Sequence, residues 1–104
     1  MSTMGQRLDL QALLEALLES EDVYFQPPAS LQMAYPCIVY KRDNMDTQFA
    51  DNNPYSLTTR YMVTVIDGDP DSVIPKKVAL LPQCIYSRSF VAENLNHDVF
   101  ILYF

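Results

Sequence analysis

The sequence predicts an α+β domain: a mainly antiparallel sheet of four or five strands with two helices, in the order α-β-β-β-α-β-β. Three observations predict it. A leucine stripe of helical period opens the chain, and five short runs rich in Val, Ile, Tyr and Phe follow it. Clusters of Pro, Gly, Asp and Asn separate these runs, and one of them leads into a second, shorter helical pattern. With 104 residues, no repeat and no linker, residues 1–104 read as a single domain.

The first element is a helix over 6–20, "QRLDLQALLEALLES". Leu10, Leu13, Leu14, Leu17 and Leu18 fall on one stripe, while Asp9, Gln11, Glu15 and Glu19 take the opposite face. Its end is electrostatically unusual, because Glu19, Glu21 and Asp22 sit where the helix dipole favours cations. A basic group docking there would offset the cost. "VYF" at 23–25 reads as a short strand ended by Pro27 and Pro28, which cannot donate to a ladder. "CIVYKR" follows as a strand that is apolar on both faces. Residues 43–55, "DNMDTQFADNNPY", read as a long polar loop with Met45, Phe49 and Tyr55 set into it.

The strongest strand pattern is 56–67, "SLTTRYMVTVID". Leu57, Tyr61, Val63 and Val65 share one face, and Thr58, Arg60, Met62, Thr64 and Ile66 the other. After a turn at 67–72, "SVIPKKVALLP" fits a short helix with Val73, Ile74, Val78 and Leu81 inward and Pro75 in the first turn. "CIYSRSFV" and "HDVFILYF" then form two strands joined by "AENLN".

Composition excludes several function classes. Net charge is −6, and the seven Lys and Arg are too dispersed to form the basic stripe that phosphate neutralisation needs. Nucleic-acid binding and adsorption to an anionic membrane surface are therefore not expected. No apolar run approaches a membrane span, and residues 1–20 lack a secretory pattern, so the chain reads as a soluble intracellular product. Cys37 and Cys84 each lie in a β-like run and read as two buried thiols, although adjacent strands would permit a bridge.

The turn "VIDGDPDS" is the main chemical candidate. Asp67, Asp69 and Asp71 match the first three ligand positions of a calcium loop, but the sixth is Ser72 instead of glycine and the twelfth is Val78 instead of glutamate. Punctuation accounts for it better: Gly68 supplies positive φ, Pro70 stiffens the turn, and Asp71 or Ser72 caps the following helix. His97 is the single histidine, and no local frame joins it to a nucleophile. Glycines at 5 and 68 alone cannot build a phosphate loop. No catalytic, cofactor or metal residue is assigned, and the chain is not expected to be an enzyme.

Surface remains. In "HDVFILYF", Val99, Ile101 and Tyr103 alternate with Phe100, Leu102 and Phe104, so both faces are apolar. Two helices cover about one face of a sheet this size. Either the sheet curls onto itself or another subunit covers the second face, and the expectation adopted is subunit contact. The candidate interface residues are Met45, Phe49, Tyr55, Phe100, Leu102 and Phe104.

The element order and size, with the stretches "DLQALLE", "YFQPP", "YPCIVY", "ADNNPYSLTTRYMVTVIDGDPDS" and "NLNHDVF", resemble the tail terminator (tail completion) proteins of long-tailed phages and prophages. The resemblance covers nearly the whole chain. It implies a structural virion protein at the head-proximal end of the tail, assembled in the host cytoplasm. Such proteins form a hexameric ring that caps the tail tube, stops its polymerisation and meets the head connector. The implied partners are further copies of the chain, the tail tube protein and the connector or stopper, with DNA passing through without specific binding. No cofactor is implied. A head-completion or connector-stopper protein at the same junction is the nearest alternative. From a different class, a monomeric cytoplasmic module that captures peptides on its sheet edge also fits.

Overall fold

The computed structural model describes residues 6–50 and 53–104; for Gln6 and for residues 44–50 and 53–58 it describes the backbone only. The order α-β-β-β-α-β-β holds. α1 spans Gln6–Leu18, β1 Val23–Phe25, β2 Cys37–Ala50, β3 Asn53–Asp67, α2 Ile74–Ala79, β4 Cys84–Ala92 and β5 Leu95–Tyr103. The five strands form one mixed, mostly antiparallel sheet in the order β1-β2-β3-β5-β4, with β1 parallel to β2.

α1 lies on the sheet through its leucine stripe. Leu10 and Leu14 are fully buried and Leu18 nearly so, whereas Leu13 is 37% exposed, so the buried stripe is narrower than the pattern suggested. Gln11 also departs from expectation. Instead of facing solvent it turns inward, its amide donating to the Val23 carbonyl (2.9 Å) and its carbonyl accepting from the Tyr40 hydroxyl (2.6 Å). The helix closes with the Ser20 N–H donating back to the Glu15 carbonyl (3.2 Å), and Glu19 takes the left-handed position (φ 59°) usually held by glycine. The cation anticipated at this acidic end comes from α2: Lys77 Nζ sits 3.4 Å from Glu19 Oε2.

The stretch read as a loop, 43–55, is the largest correction. Residues 43–50 continue β2 and 53–55 begin β3, while 51–52 lie outside the described residues. Their antiparallel register pairs Met45 with Thr59, Asp46 with Thr58, Thr47 with Leu57 and Gln48 with Ser56. Met45, Thr47 and Phe49 were a period-two pattern hidden by polar neighbours. β1 meets β2 only at Ile38–Tyr40 and β5 meets β3 only at Arg60–Asp67, with one further bond from the Phe104 N–H to the Thr59 carbonyl; among the described residues, 45–50 and 53–58 therefore pair with no other strand. They form a two-stranded arm extending beyond the sheet. The radius of gyration, 14.8 Å, exceeds the roughly 13 Å of a compact chain of this length, and the longest dimension is 51 Å against 24 and 23 Å.

Three smaller expectations are also corrected. α2 is six residues long with Val73 as its N-cap, 60% exposed instead of inward. No side chain caps it in the usual geometry, although the Ser72 Oγ accepts from the Ile74 N–H (3.3 Å). Gly68 does not have positive φ; added bulk there would touch only Leu95 Cδ2, at 3.8 Å. The β4–β5 turn is two residues, Glu93 (φ 53°) and Asn94 (φ 64°), flanked by the Ala92–Leu95 pair. Positive φ at both central positions is the backbone of a type I′ hairpin turn.

The main core cluster lies between the helices and one sheet face, while Cys37, Ile66 and Val99 are buried on the other. Leu10, Leu14, Tyr40, Val63, Val78 and Phe100 are its centre, and Tyr40 packs against the rings of Phe25 (5.0 Å) and Tyr61 (5.9 Å). Among the described residues no helix is long and apolar enough to cross a membrane.

A candidate interaction surface

The aspartate turn organises itself. The Asp69 N–H donates to Asp67 Oδ1 and the Asp71 N–H to Asp69 Oδ1, both at 2.9 Å, so two of the three carboxylates are engaged by the amides of their own loop. Beside it lies a cavity of about 240 Å³ lined by Asp67, Asp69, Ser72, Phe90, His97 and Asp98 among others. His97 stacks on Phe90 (4.6 Å between centroids, 12° between planes), and its Nδ1 lies 3.1 Å from the Leu95 carbonyl. Burial pushes the Asp98 carboxyl above its ordinary value, opposed by the neighbouring His97.

Cys37 and Cys84 are free thiols on β2 and β4, with β3 and β5 between them, so no bridge spans the sheet. Burial, reinforced by Asp22 and Asp67, pushes the Cys37 thiol up to about 12, which keeps it protonated and unreactive at neutral pH. Cys37 and His97 both align with Ile66, one from each side of β3. Two strand spacings, about 10 Å, therefore separate them, beyond hydrogen-bond reach.

The sheet has one face under the helices; the other carries no helix, although Cys37, Ile66 and Val99 on it are buried. Register places Val39, Lys41, Met62, Ile101, Ile85 and Phe90 on the helix-free face. Met62 and Ile101 are half-buried, while Ile85 is 59% and Phe90 42% exposed. Its charge is the reverse of the chain's. Lys41, Arg60 and Arg88 rise from it, Arg88 lying 5.7 Å from the Phe90 ring centroid. Arg60 is paired with Asp43 (3.0 Å); among the described residues Lys41 and Arg88 make no salt bridge. The acids gather elsewhere, along α1 and in the 67–71 turn.

β4 forms one edge of the sheet, and from Ile85 to Ala92 every residue is exposed, including Tyr86 at 52% and Val91 at 68%. A register shift between Tyr86 and Arg88 twists this edge locally.

The six interface candidates divide accordingly. Met45, Phe49 and Tyr55 fall on the arm, and their side chains lie outside the described residues. Phe100 and Leu102 are each 1% exposed inside the chain's own core, so they cannot form a subunit contact. Phe104 packs against that core and lines a shallow groove with Leu13 and Leu81. The helices chose the Phe100 side of β5, leaving Ile101 and Tyr103 on the open side. Ile85, Arg88, Phe90 and Lys41 were missed as surface residues; the alternation within "CIYSRSFV" was the available signal.

No family model, curated protein or solved structure matches the chain.

Proposed function

We propose that the chain is a structural protein of a phage tail, a terminator that assembles into a ring on the end of the tail tube, stops its growth and meets the head connector. The observation that carries this reading is the part of the helix-free sheet face exposed at Ile85 and Phe90, beside a two-stranded arm that projects from the same sheet. Repeated head-to-tail contact accounts for both. The resemblance of the sequence to tail terminators supports the same reading. So does the net charge of −6, since a ring of acidic chains repels the DNA that must slide through it. On this reading the partners are further copies, the tube protein and the connector, and the location is the head-proximal end of the tail.

Light scattering of the purified chain, alone and with assembled tail tubes, followed by negative-stain imaging, tests the proposal. Rings, free or seated on tube ends, are expected. A strict monomer that leaves tube length unregulated overturns it. The exposed edge of β4 favours a second reading, a peptide-capture module in which an extended ligand adds a strand there. That module would remain a monodisperse monomer.

A further inference from the structure

Positive and negative charge stand at different points along the β2–β3 pair. β1 stops at Phe25, so among the described residues the outer edge of β2 beyond Tyr40 has no strand beside it. A groove of about 520 Å³ opens there, lined by Gln26, Pro27, Val39, Lys41 and Arg42. The Arg42 N–H donates to Gln26 Oε1 (3.2 Å), which ties the two sides of the groove together. Lys41 and Arg42 are exposed and join no salt bridge among the described residues, so two cations stand beside two apolar side chains, Pro27 and Val39.

The 67–71 turn offers the converse. Asp69, Pro70 and Asp71 are all exposed, an apolar residue between two anions. The turn is already shaped, since Asp67 and Asp69 each hold the amide two residues on at 2.9 Å. Among the described residues the Asp71 carboxylate takes part in no hydrogen bond or salt bridge. Acids at the end of α1 are more engaged: Glu19 meets Lys77 (3.4 Å), and Asp22 accepts from the Ser20 and Tyr24 hydroxyls (3.0 and 3.3 Å). Turn and groove cannot meet within one chain, because the pairs Arg42–Tyr61 and Cys37–Ile66 are five register steps, about 17 Å, apart.

We infer that the 67–71 turn of one copy docks in the groove past the end of β1 of the next, Pro70 against Pro27 and Val39 and the Asp69 and Asp71 carboxylates toward Lys41 and Arg42. Isolated exposed ion pairs stabilise little; seating Pro70 removes water from these and gives them weight. Turn and groove are different surfaces, so the contact is heterologous and repeats from copy to copy until rotation closes it. This rests on the ring reading and specifies a contact that would build it.

Charge reversal in the full-length chain tests it, with Lys41→Glu on the groove and Asp71→Lys on the turn. Both positions are exposed, so circular dichroism and the thermal midpoint are expected to hold. Each single variant is expected to weaken self-association by roughly tenfold or more in low-salt sedimentation. Combining the two changes in one chain, or mixing the two single variants in equal amounts, is expected to restore it, because every turn then finds a groove of opposite charge. Loss in Lys41→Glu without loss in Asp71→Lys, and no rescue, would put a different acid in the groove and overturn the turn's role. Rings of Lys41→Glu that form normally but no longer seat on tube ends would give the groove to the tube protein instead. Both variants associating at wild-type strength would overturn the contact and leave the ring reading standing. A wild-type chain that stays monomeric, alone and on tubes, overturns both.

Discussion

Tyr40 shows how one polar atom is accommodated in an apolar core. The residue is fully buried, yet its hydroxyl donates to Gln11 at 2.6 Å and accepts from Arg7 at 3.3 Å. Tyr40→Phe keeps the ring contacts but leaves the Gln11 carbonyl without that donor. The expected cost is about 1 kcal/mol, read as a thermal midpoint lower by roughly 4–8 °C. Asp98 carries the opposite imbalance, for burial raises its carboxyl in the folded chain. The folded state then holds this proton at pH values where the unfolded state has lost it. The group's contribution is full below the unfolded pKa, about 3.9, and declines as pH rises through the higher folded value. Asp98→Asn is therefore expected to melt a few degrees higher than wild type at pH 7. The gap should close near pH 3, as calorimetry across that range would read.

Among the elements, the β4–β5 hairpin holds a strained turn. Its two residues adopt positive φ although neither is glycine, and Glu93 is the less suited. Replacing the pair with Asn-Gly, Glu93→Asn with Asn94→Gly, is expected to stabilise the chain by roughly 1 kcal/mol without altering the fold, measured by urea unfolding with an unchanged slope. The arm is the element on which composition misled. Asp, Asn, Gln and Thr suggested a loop, because strands are usually recognised by the face they bury. A ribbon paired only with itself buries little, and its signature shrinks to Met45, Thr47 and Phe49 at every second position.

Across the whole molecule, charge and apolar surface are segregated. Three of the seven Lys and Arg stand on the helix-free face, while the acids cluster on α1 and the 67–71 turn. On the ring reading, any contact that covers the basic sheet face with an acidic part of another copy would be partly electrostatic. Raising NaCl from about 0.05 to 0.5 M, which shortens the screening length several-fold, is expected to weaken self-association measurably by sedimentation. If salt instead leaves it unchanged or strengthens it, the contact is apolar throughout and the charge segregation plays no part in it.

The sequence by itself determined the element types, their order and the single leucine stripe that seats α1, because these follow from local periodicity. It also contained the acidic helix end that Lys77 meets and the double-sided apolarity of β5. Only the tertiary structure decided which side of β5 the helices cover, burying Phe100 and Leu102 and leaving Ile101 at the open face. Both sides are equally apolar in sequence, and the choice depends on how α1 and α2 cross the sheet. Tertiary structure likewise decided that β2 and β3 outrun their neighbours. A strand's own pattern says how it alternates, whereas where pairing stops depends on the lengths of β1 and β5 beside it.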